Sequence, residues 1–103
     1  MQNIESLDYL QYLLRELQKI DSKIWAGQTA QAYVHSQSII ANLEKNKKLL
    51  DDSEYLLRQL NKLLAKLWVG QDPQAWRHNK SLLAYVEREK DELLELMKEE
   101  GEG

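Results

Sequence analysis

The chain has 103 residues, of which 43% are hydrophobic and 30% are charged, and its formal net charge is −3. That length suits one small domain, and the absence of cysteine excludes disulfides, thiolate metal sites and a cysteine nucleophile. The acidic balance argues against nucleic-acid binding as the main function. No apolar segment approaches the ~18 residues needed to span a bilayer, and no secretory signal opens the chain, so we expect no membrane insertion.

The first half of the chain predicts two helices. Apolar residues recur at steps of three and four between positions 4 and 25, which is the period of an amphipathic helix. Gly27 follows and can end that helix in a left-handed conformation without steric cost. The same apolar spacing then resumes from Ala32 to Leu50 and predicts the second helix.

The second half has the same organisation. Leucines at helical spacing lead to Gly70, after which Asp72 is expected to cap a new helix with Pro73 at its first position. The apolar face continues to Met97. The remaining residues, 99–103, have nothing to bury and are expected to be disordered.

The junction between the two halves admits two interpretations. Lysines before residue 50 and acidic residues after it have the charge order of one helix ending and another beginning, and Ser53 or Asp52 could cap the new helix. The junction has no glycine or proline, however, and an uninterrupted helix over 29–68 would extend roughly 60 Å. Such a helix could bury its faces only in a dimer. We favour the break.

The two halves are an internal repeat. Aligning residues 12–54 with 55–97 gives 18 identities in 43 pairs, which indicates a tandem duplication of one helical hairpin. We therefore predict an all-α protein, a four-helix bundle built from two duplicated hairpins. The alternative is three helices with a long central helix, in a dimer. Residues 1–98 would form a single helical domain.

Both predicted hairpin turns carry Trp-x-Gly, as Trp25-Ala26-Gly27 and Trp68-Val69-Gly70, and an Ala-aromatic pair follows each turn. These turns resemble those of the WXG family, the small leaderless helical hairpins of type VII secretion. That family has one such turn and this chain has two. We expect Trp25 and Trp68 to be buried caps of their hairpins, each stabilising the fold by about 3 kcal/mol.

The resemblance implies a function and a signal. It implies a non-enzymatic interaction protein, either a type VII secretion substrate or the helper partner of a larger secreted toxin. Such a protein is cytoplasmic before export and is secreted without a cleaved signal peptide. The family's export signal, Tyr-x-x-x-Asp/Glu, matches Tyr85 and Glu89, and also Tyr12 and Glu16. The resemblance makes Tyr85 and an exposed Glu89, together with Trp68 and Gly70, the candidate export signal.

Other candidate sites are weaker. His35 and His78 occupy equivalent repeat positions and could face each other as haem or metal ligands, but duplication alone explains their symmetry. No catalytic motif, metal-ligand motif or Gly-rich phosphate loop is present, so we expect no enzymatic activity, no metal and no cofactor.

Two surface features concern partners. Basic residues form a stripe before each Trp turn, which leaves the alternative of a cytoplasmic regulatory or nucleic-acid-binding helical bundle. The stripes comprise Arg15, Lys19, Lys23, Arg58, Lys62 and Lys66. Doubled leucines such as Leu13-Leu14 and Leu93-Leu94 also widen the apolar faces, so we expect a homodimer or a helical protein partner.

Overall fold

The computed structural model describes residues 2–102 and is an antiparallel four-helix bundle, as predicted. The helices are α1 (Gln2–Trp25), α2 (Thr29–Lys45), α3 (Ser53–Trp68) and α4 (Asp72–Glu102). Each helix packs chiefly against two neighbours, α1 against α2 and α4, and α3 against α2 and α4. Both Trp-x-Gly turns therefore lie at one end of the bundle, which we call the turn end. The opposite end, formed by the start of α1, the α2–α3 link and the last turns of α4, is the open end.

The helix break at the repeat junction is confirmed, and the long central helix is wrong. After α2 ends at Lys45, residues Lys47–Leu49 form one 3₁₀ turn and Leu50 is extended, with φ −132° and ψ 134°. The Ser53 hydroxyl donates to the carbonyls of Lys47 and Leu50 at 2.8 and 2.9 Å. No side-chain cap bond forms at Asp52. The buried Leu50 explains the break, because its side chain covers the open end of the core.

The core is the stripe of apolar residues that the helical spacing predicts. Its fully buried centre has at least one large apolar residue from every helix, namely Ile20, Ile39, Leu63 and Val86. Each hairpin buries its stripe against the other hairpin. Hydrophobic burial of this kind is the main stabilising term of the fold.

Glycine ends the first helix of each hairpin in the same way. Gly27 and Gly70 have φ of 75° and 76°, the left-handed conformation predicted for both. The amide of Gln28 donates to the Lys23 carbonyl at 2.8 Å, and that of Gln71 donates to the Lys66 carbonyl at 2.9 Å. These six-residue closures are Schellman motifs, which satisfy carbonyls that the helix end would leave unpaired.

The duplication is visible as an approximate two-fold relation between the hairpins. Thr29 and Asp72 are equivalent in the repeat, and they meet across it, with the Thr29 hydroxyl donating to Asp72 Oδ2 at 2.6 Å. Two other repeat-related pairs also bond, Tyr9 to Asn42 and Tyr85 to Asp52. In the repeat, Tyr9 aligns with Asp52 and Asn42 aligns with Tyr85. The same pair of positions therefore forms a hydrogen bond twice, and the tyrosine stands at the first position in one bond and at the second position in the other.

The last residues belong to α4, which continues to Glu102. The sequence predicted disorder for 99–103, and Gly103 lies outside the described residues. Glu99, Glu100 and Gly101 are exposed, as a segment with nothing to bury should be. One contact at this point joins α4 to α1, since Asn3 Nδ2 donates to Glu100 Oε2 at 3.4 Å.

Candidate functional site

The prediction that both turn tryptophans are buried is wrong. Trp25 is 79% exposed and Trp68 is 74% exposed. The preceding residues, Ile24 and Leu67, occupy the core positions instead. One step along a helix turns the side chain by about 100°, so each tryptophan lies outside the bundle beside the turn.

The exposed tryptophans are held in place by aromatic contacts between the repeats. The Trp25 ring centroid lies 6.2 Å from that of Trp76, and the Trp68 centroid lies 5.4 Å from that of Tyr33. Both pairs are tilted by about 40°, an arrangement that aromatic rings favour. These four rings include all three tryptophans of the chain. We call them, with the exposed Val69, the turn surface.

A cleft of about 340 Å³ opens between Trp25 and Trp76. Its walls are mainly apolar, and Asp72 and Arg77 contribute the polar groups; the other lining residues are Ile24, Trp25, Pro73 and Trp76. Asp72 Oδ2 accepts from Thr29, whereas the buried Oδ1 has no partner within residues 2–102. The cleft therefore combines an aromatic wall with the charged residues Asp72 and Arg77.

Two cations lie beside Trp76, one of the rings of the turn surface. The Lys80 ammonium lies 5.1 Å from the Trp76 ring centroid, a cation–π contact, and 3.3 Å from Asp21 Oδ1. Arg77 is exposed at the cleft. The Trp76 ring thus lies beside two cations and the carboxylates of Asp21 and Asp72.

The two histidines do not face each other. His35 Nδ1 lies 2.7 Å from Lys23 Nζ, and His35 Nε2 lies 2.7 Å from Glu16 Oε1. Since an ammonium can only donate, Nδ1 accepts and the ring proton is on Nε2. Burial opposes ionisation of Glu16, but hydrogen bonds from His35 and Lys19 outweigh it and lower the pKa of that carboxyl.

His78 has different partners. Its Nε2 donates to the Gln59 carbonyl at 2.9 Å, and Gln59 is the repeat equivalent of Glu16. Burial, followed by the nearby Lys66 and Lys62, lowers the pKa of His78. Within residues 2–102 no group of three or more acidic or histidine side chains could hold a metal ion.

Tyr85 and Glu89, the candidate export signal, line one cavity of about 360 Å³ at the open end. The Tyr85 hydroxyl donates to the Asp52 carboxylate. Glu89 is half-buried, so the expectation of a fully exposed carboxylate is wrong. Burial and the adjacent Asp52 carboxyl raise the pKa of Glu89 to about 7.

The structure separates the two parts of the proposed composite signal. Tyr85 lies 13 residues beyond the start of α4, or about 20 Å along the helix axis from the turn end where Trp68 and Gly70 lie. In the first repeat, Tyr12 stacks on Tyr9 at 5.4 Å and Glu16 bonds to His35. The two Tyr-x-x-x-Glu matches therefore have different environments.

A scan against family models and searches of curated proteins and of solved structures gave no match to this chain. In the part of the chain that the structure describes, no helix is both long enough and apolar enough to cross a bilayer.

Sequence reasoning missed the aromatic pairing and the cleft. Neither Tyr33 nor Trp76 was predicted to touch a tryptophan of the other repeat. The signal was present in the alignment, because Trp25 aligns with Trp68 and Tyr33 aligns with Trp76. Two hairpins related by a two-fold axis bring such positions together in reciprocal pairs.

Proposed function

We propose that this chain is a non-enzymatic helical interaction protein that binds a protein partner through the turn surface. One observation carries the proposal: two tryptophans are about three-quarters exposed yet held in position by rings of the other repeat. Tryptophan is enriched among the residues that dominate binding energy at interfaces. Rigid anchors lose little conformational entropy on binding.

The resemblance to the WXG family supports a more specific form of this proposal. The protein is then a type VII secretion substrate or the helper partner of a secreted toxin, cytoplasmic before export and released without signal-peptide cleavage. The repeated Trp-x-Gly turn supports this assignment, because the shared residues are the ones that the fold exposes.

The test is export or partner binding by a Trp25→Ala, Trp68→Ala double variant in the native host. We expect the double variant to be absent from the culture supernatant while circular dichroism shows a wild-type helical spectrum. The matched Trp25→Phe, Trp68→Phe variant keeps the aromatic surface and should retain most export. Export of the alanine variant at the wild-type level would contradict the proposal.

The candidate export signal requires a separate test, with substitutions that preserve the side-chain packing around half-buried Glu89. Tyr85→Phe with Glu89→Gln removes the hydroxyl and the charge but keeps the side-chain volumes. We expect loss of export, whereas the equivalent pair in the first repeat, Tyr12→Phe with Glu16→Gln, should be exported. Equal export of both variants would remove Tyr85 and Glu89 from the signal.

A second candidate function, binding of single-stranded nucleic acid, is favoured by one observation. Arg58, Lys62 and Lys66 recur every four residues along α3 towards Trp68, and none forms an ion pair within the described range 2–102. A basic stripe beside exposed aromatic rings suits stacked bases. Titration of tryptophan fluorescence with a mixed-sequence DNA oligonucleotide tests this, and an unchanged signal at low salt would eliminate it.

A further inference from the structure

Formal charge is distributed very unevenly along the 50 Å axis of the bundle. The half at the turn end, residues 14–36 and 58–80, carries eight Lys and Arg but three Asp and Glu, a net charge of +5. The half at the open end, residues 2–13, 37–57 and 81–102, carries six Lys and Arg but fourteen Asp and Glu, a net charge of −8. The net charge of −3 conceals this separation.

The acidic end also exposes apolar side chains. Leu94 and Leu96 on α4 are 42% and 53% exposed, and Ile4 on α1 is 53% exposed. Glu95, Glu99 and Glu100 are exposed beside them on α4. The open end therefore presents leucines within an acidic surface.

The turn end has the complementary features. Its cleft of about 340 Å³ is large enough to admit a leucine side chain, and it is lined by Ile24, Trp25, Asp72, Pro73, Trp76 and Arg77. Arg77 at the cleft is exposed and forms no ion pair with another described residue, so it is available to a carboxylate.

We propose that the partner of the turn end is the open end of a second copy of this chain. Leu96 on α4 of one copy docks in the Trp25–Trp76 cleft of the next, and its flanking glutamates face Arg77. This inference rests on the proposed function, since it names the partner of the same turn surface. The contact is heterologous, so it propagates head to tail rather than closing as a two-fold dimer.

Charge selects this arrangement over the two symmetric end-to-end contacts. Two turn ends would bring two positive surfaces together, and two open ends would bring two negative ones together. Like charges across an interface disfavour both pairings. Among end-to-end contacts, only the head-to-tail one places the −8 half against the +5 half.

The small size of the end surfaces limits the strength of the head-to-tail association. The Cα cross-section of 23 × 17 Å limits the contact to a few hundred Å² per copy. A standard stable interface buries about 800 Å² per partner. The association is therefore weak, with a dissociation constant expected in the micromolar to millimolar range, and it depends on salt.

Sedimentation velocity of the full chain over a concentration series tests the inference. At about 0.02 M salt the weight-average sedimentation coefficient should rise with concentration, and at about 0.5 M salt the association should be at least tenfold weaker. A strict monomer up to millimolar concentration at the lower salt would overturn it. Association that salt does not weaken, or that nuclease treatment abolishes, would overturn it as well.

Two complementary variants make the test specific. Trp76→Ala with Arg77→Glu disables the turn end, and Leu94→Ala with Leu96→Ala and Glu95→Lys disables the open end. Each variant alone should be monomeric, and their equimolar mixture should stop at a 1:1 pair. Arg15→Glu is the charge control, because exposed Arg15 lies ten residues and about 15 Å before Trp25. It changes the charge of that half as much as Arg77→Glu does, from +5 to +3, but leaves the cleft intact, so it should associate more strongly than Trp76→Ala with Arg77→Glu in the same salt.

The outcomes distinguish this inference from the proposed function. If the chain is monomeric but the Trp25→Ala, Trp68→Ala variant loses export, the turn surface has a different partner and the inference is wrong. If head-to-tail pairs form but that variant is exported normally, the turn surface is not what export requires. Failure of the 1:1 mixture to pair would also contradict the head-to-tail contact.

Discussion

At the turn end, neighbouring positions on a helix differ sharply in burial. Ile24 and Trp25 are neighbours in the chain, yet Ile24 belongs to the core and Trp25 is largely exposed. Leu67 and Trp68 repeat the same division. The larger side chain of each pair is thus available for binding, and the smaller one stabilises the bundle.

We expect Trp68→Ala to lower the free energy of unfolding by about 1 kcal/mol, because the main loss is its contact with the Tyr33 ring. The fully buried Leu63 on the same helix is the comparison, and Leu63→Ala should cost about 3 kcal/mol. Denaturant titrations measure both values. A loss near 3 kcal/mol for Trp68→Ala would mean that the ring is part of the core.

Glu89 should make stability depend on pH. Its pKa is about 7 in the fold, above the ordinary value of 4.5. The folded chain therefore holds a proton that the unfolded chain releases between these values, so this group's contribution to stability decreases as pH rises through that range. The charged groups around it are Asp52, Glu92 and Arg88.

Glu89→Gln removes this titration, so we expect the variant to gain stability relative to the wild type as pH increases from about 4.5 to about 8. Denaturant titrations at several pH values measure the difference. The exposed Glu95, replaced by Gln, is the control and should leave the pH profile unchanged. Parallel plots of stability against pH for the wild type and Glu89→Gln would show that burial and Asp52 do not raise the pKa of Glu89.

The ends of the helices depend on two glycines and on one irregular link between α2 and α3. Gly27 and Gly70 reverse the chain through left-handed backbone, whereas the α2–α3 link uses a 3₁₀ turn, an extended Leu50 and the Ser53 hydroxyl. The glycine turns are local features, and each can be predicted from a single residue of the sequence. The α2–α3 link depends on tertiary packing, because its conformation follows from which side chain covers the core at the open end.

We expect Gly70→Ala to destabilise the fold by about 1 kcal/mol, since a Cβ is disfavoured at φ 76°. A Cβ at this position meets nothing within 4 Å, so the effect is backbone strain alone. Gly101 has equally open surroundings but no positive φ, and Gly101→Ala should be neutral or slightly stabilising. Thermal or denaturant unfolding of both variants makes the comparison, and equal effects would contradict the strain argument.

At the scale of the whole molecule, the two hairpins depend on each other. The apolar stripe of α1 packs on α4 and that of α2 packs on α3, so each hairpin supplies the surface that the other buries. Isolated helices of this length are marginal in water without such packing.

We therefore expect a fragment of residues 1–50 to be largely unfolded by circular dichroism at low micromolar concentration. Adding a fragment of residues 51–103 should restore helical signal, because it restores the partner surfaces. A monomeric fragment 1–50 with full helicity would show that one hairpin folds by itself.

The sequence by itself determined the helices, the turns and the duplication. Hydrophobic period, Gly27 and Gly70 are local signals, and local chemistry is enough to specify where a helix ends. The 43-residue repeat likewise predicted two equivalent hairpins. The Trp-x-Gly positions were also identified correctly as features of the turns.

Only the tertiary structure decided which side chains are exposed and which meet. The tryptophans are exposed because Ile24 and Leu67 take the core positions. Which of two adjacent residues faces the core depends on the direction in which the neighbouring helices lie. The cleft, the pairing of Tyr33 with Trp68 and the approach of Glu89 to Asp52 all join residues from different helices. Such contacts depend on helix order and rotation, which a one-dimensional apolar pattern does not specify because it marks only the buried face of each helix.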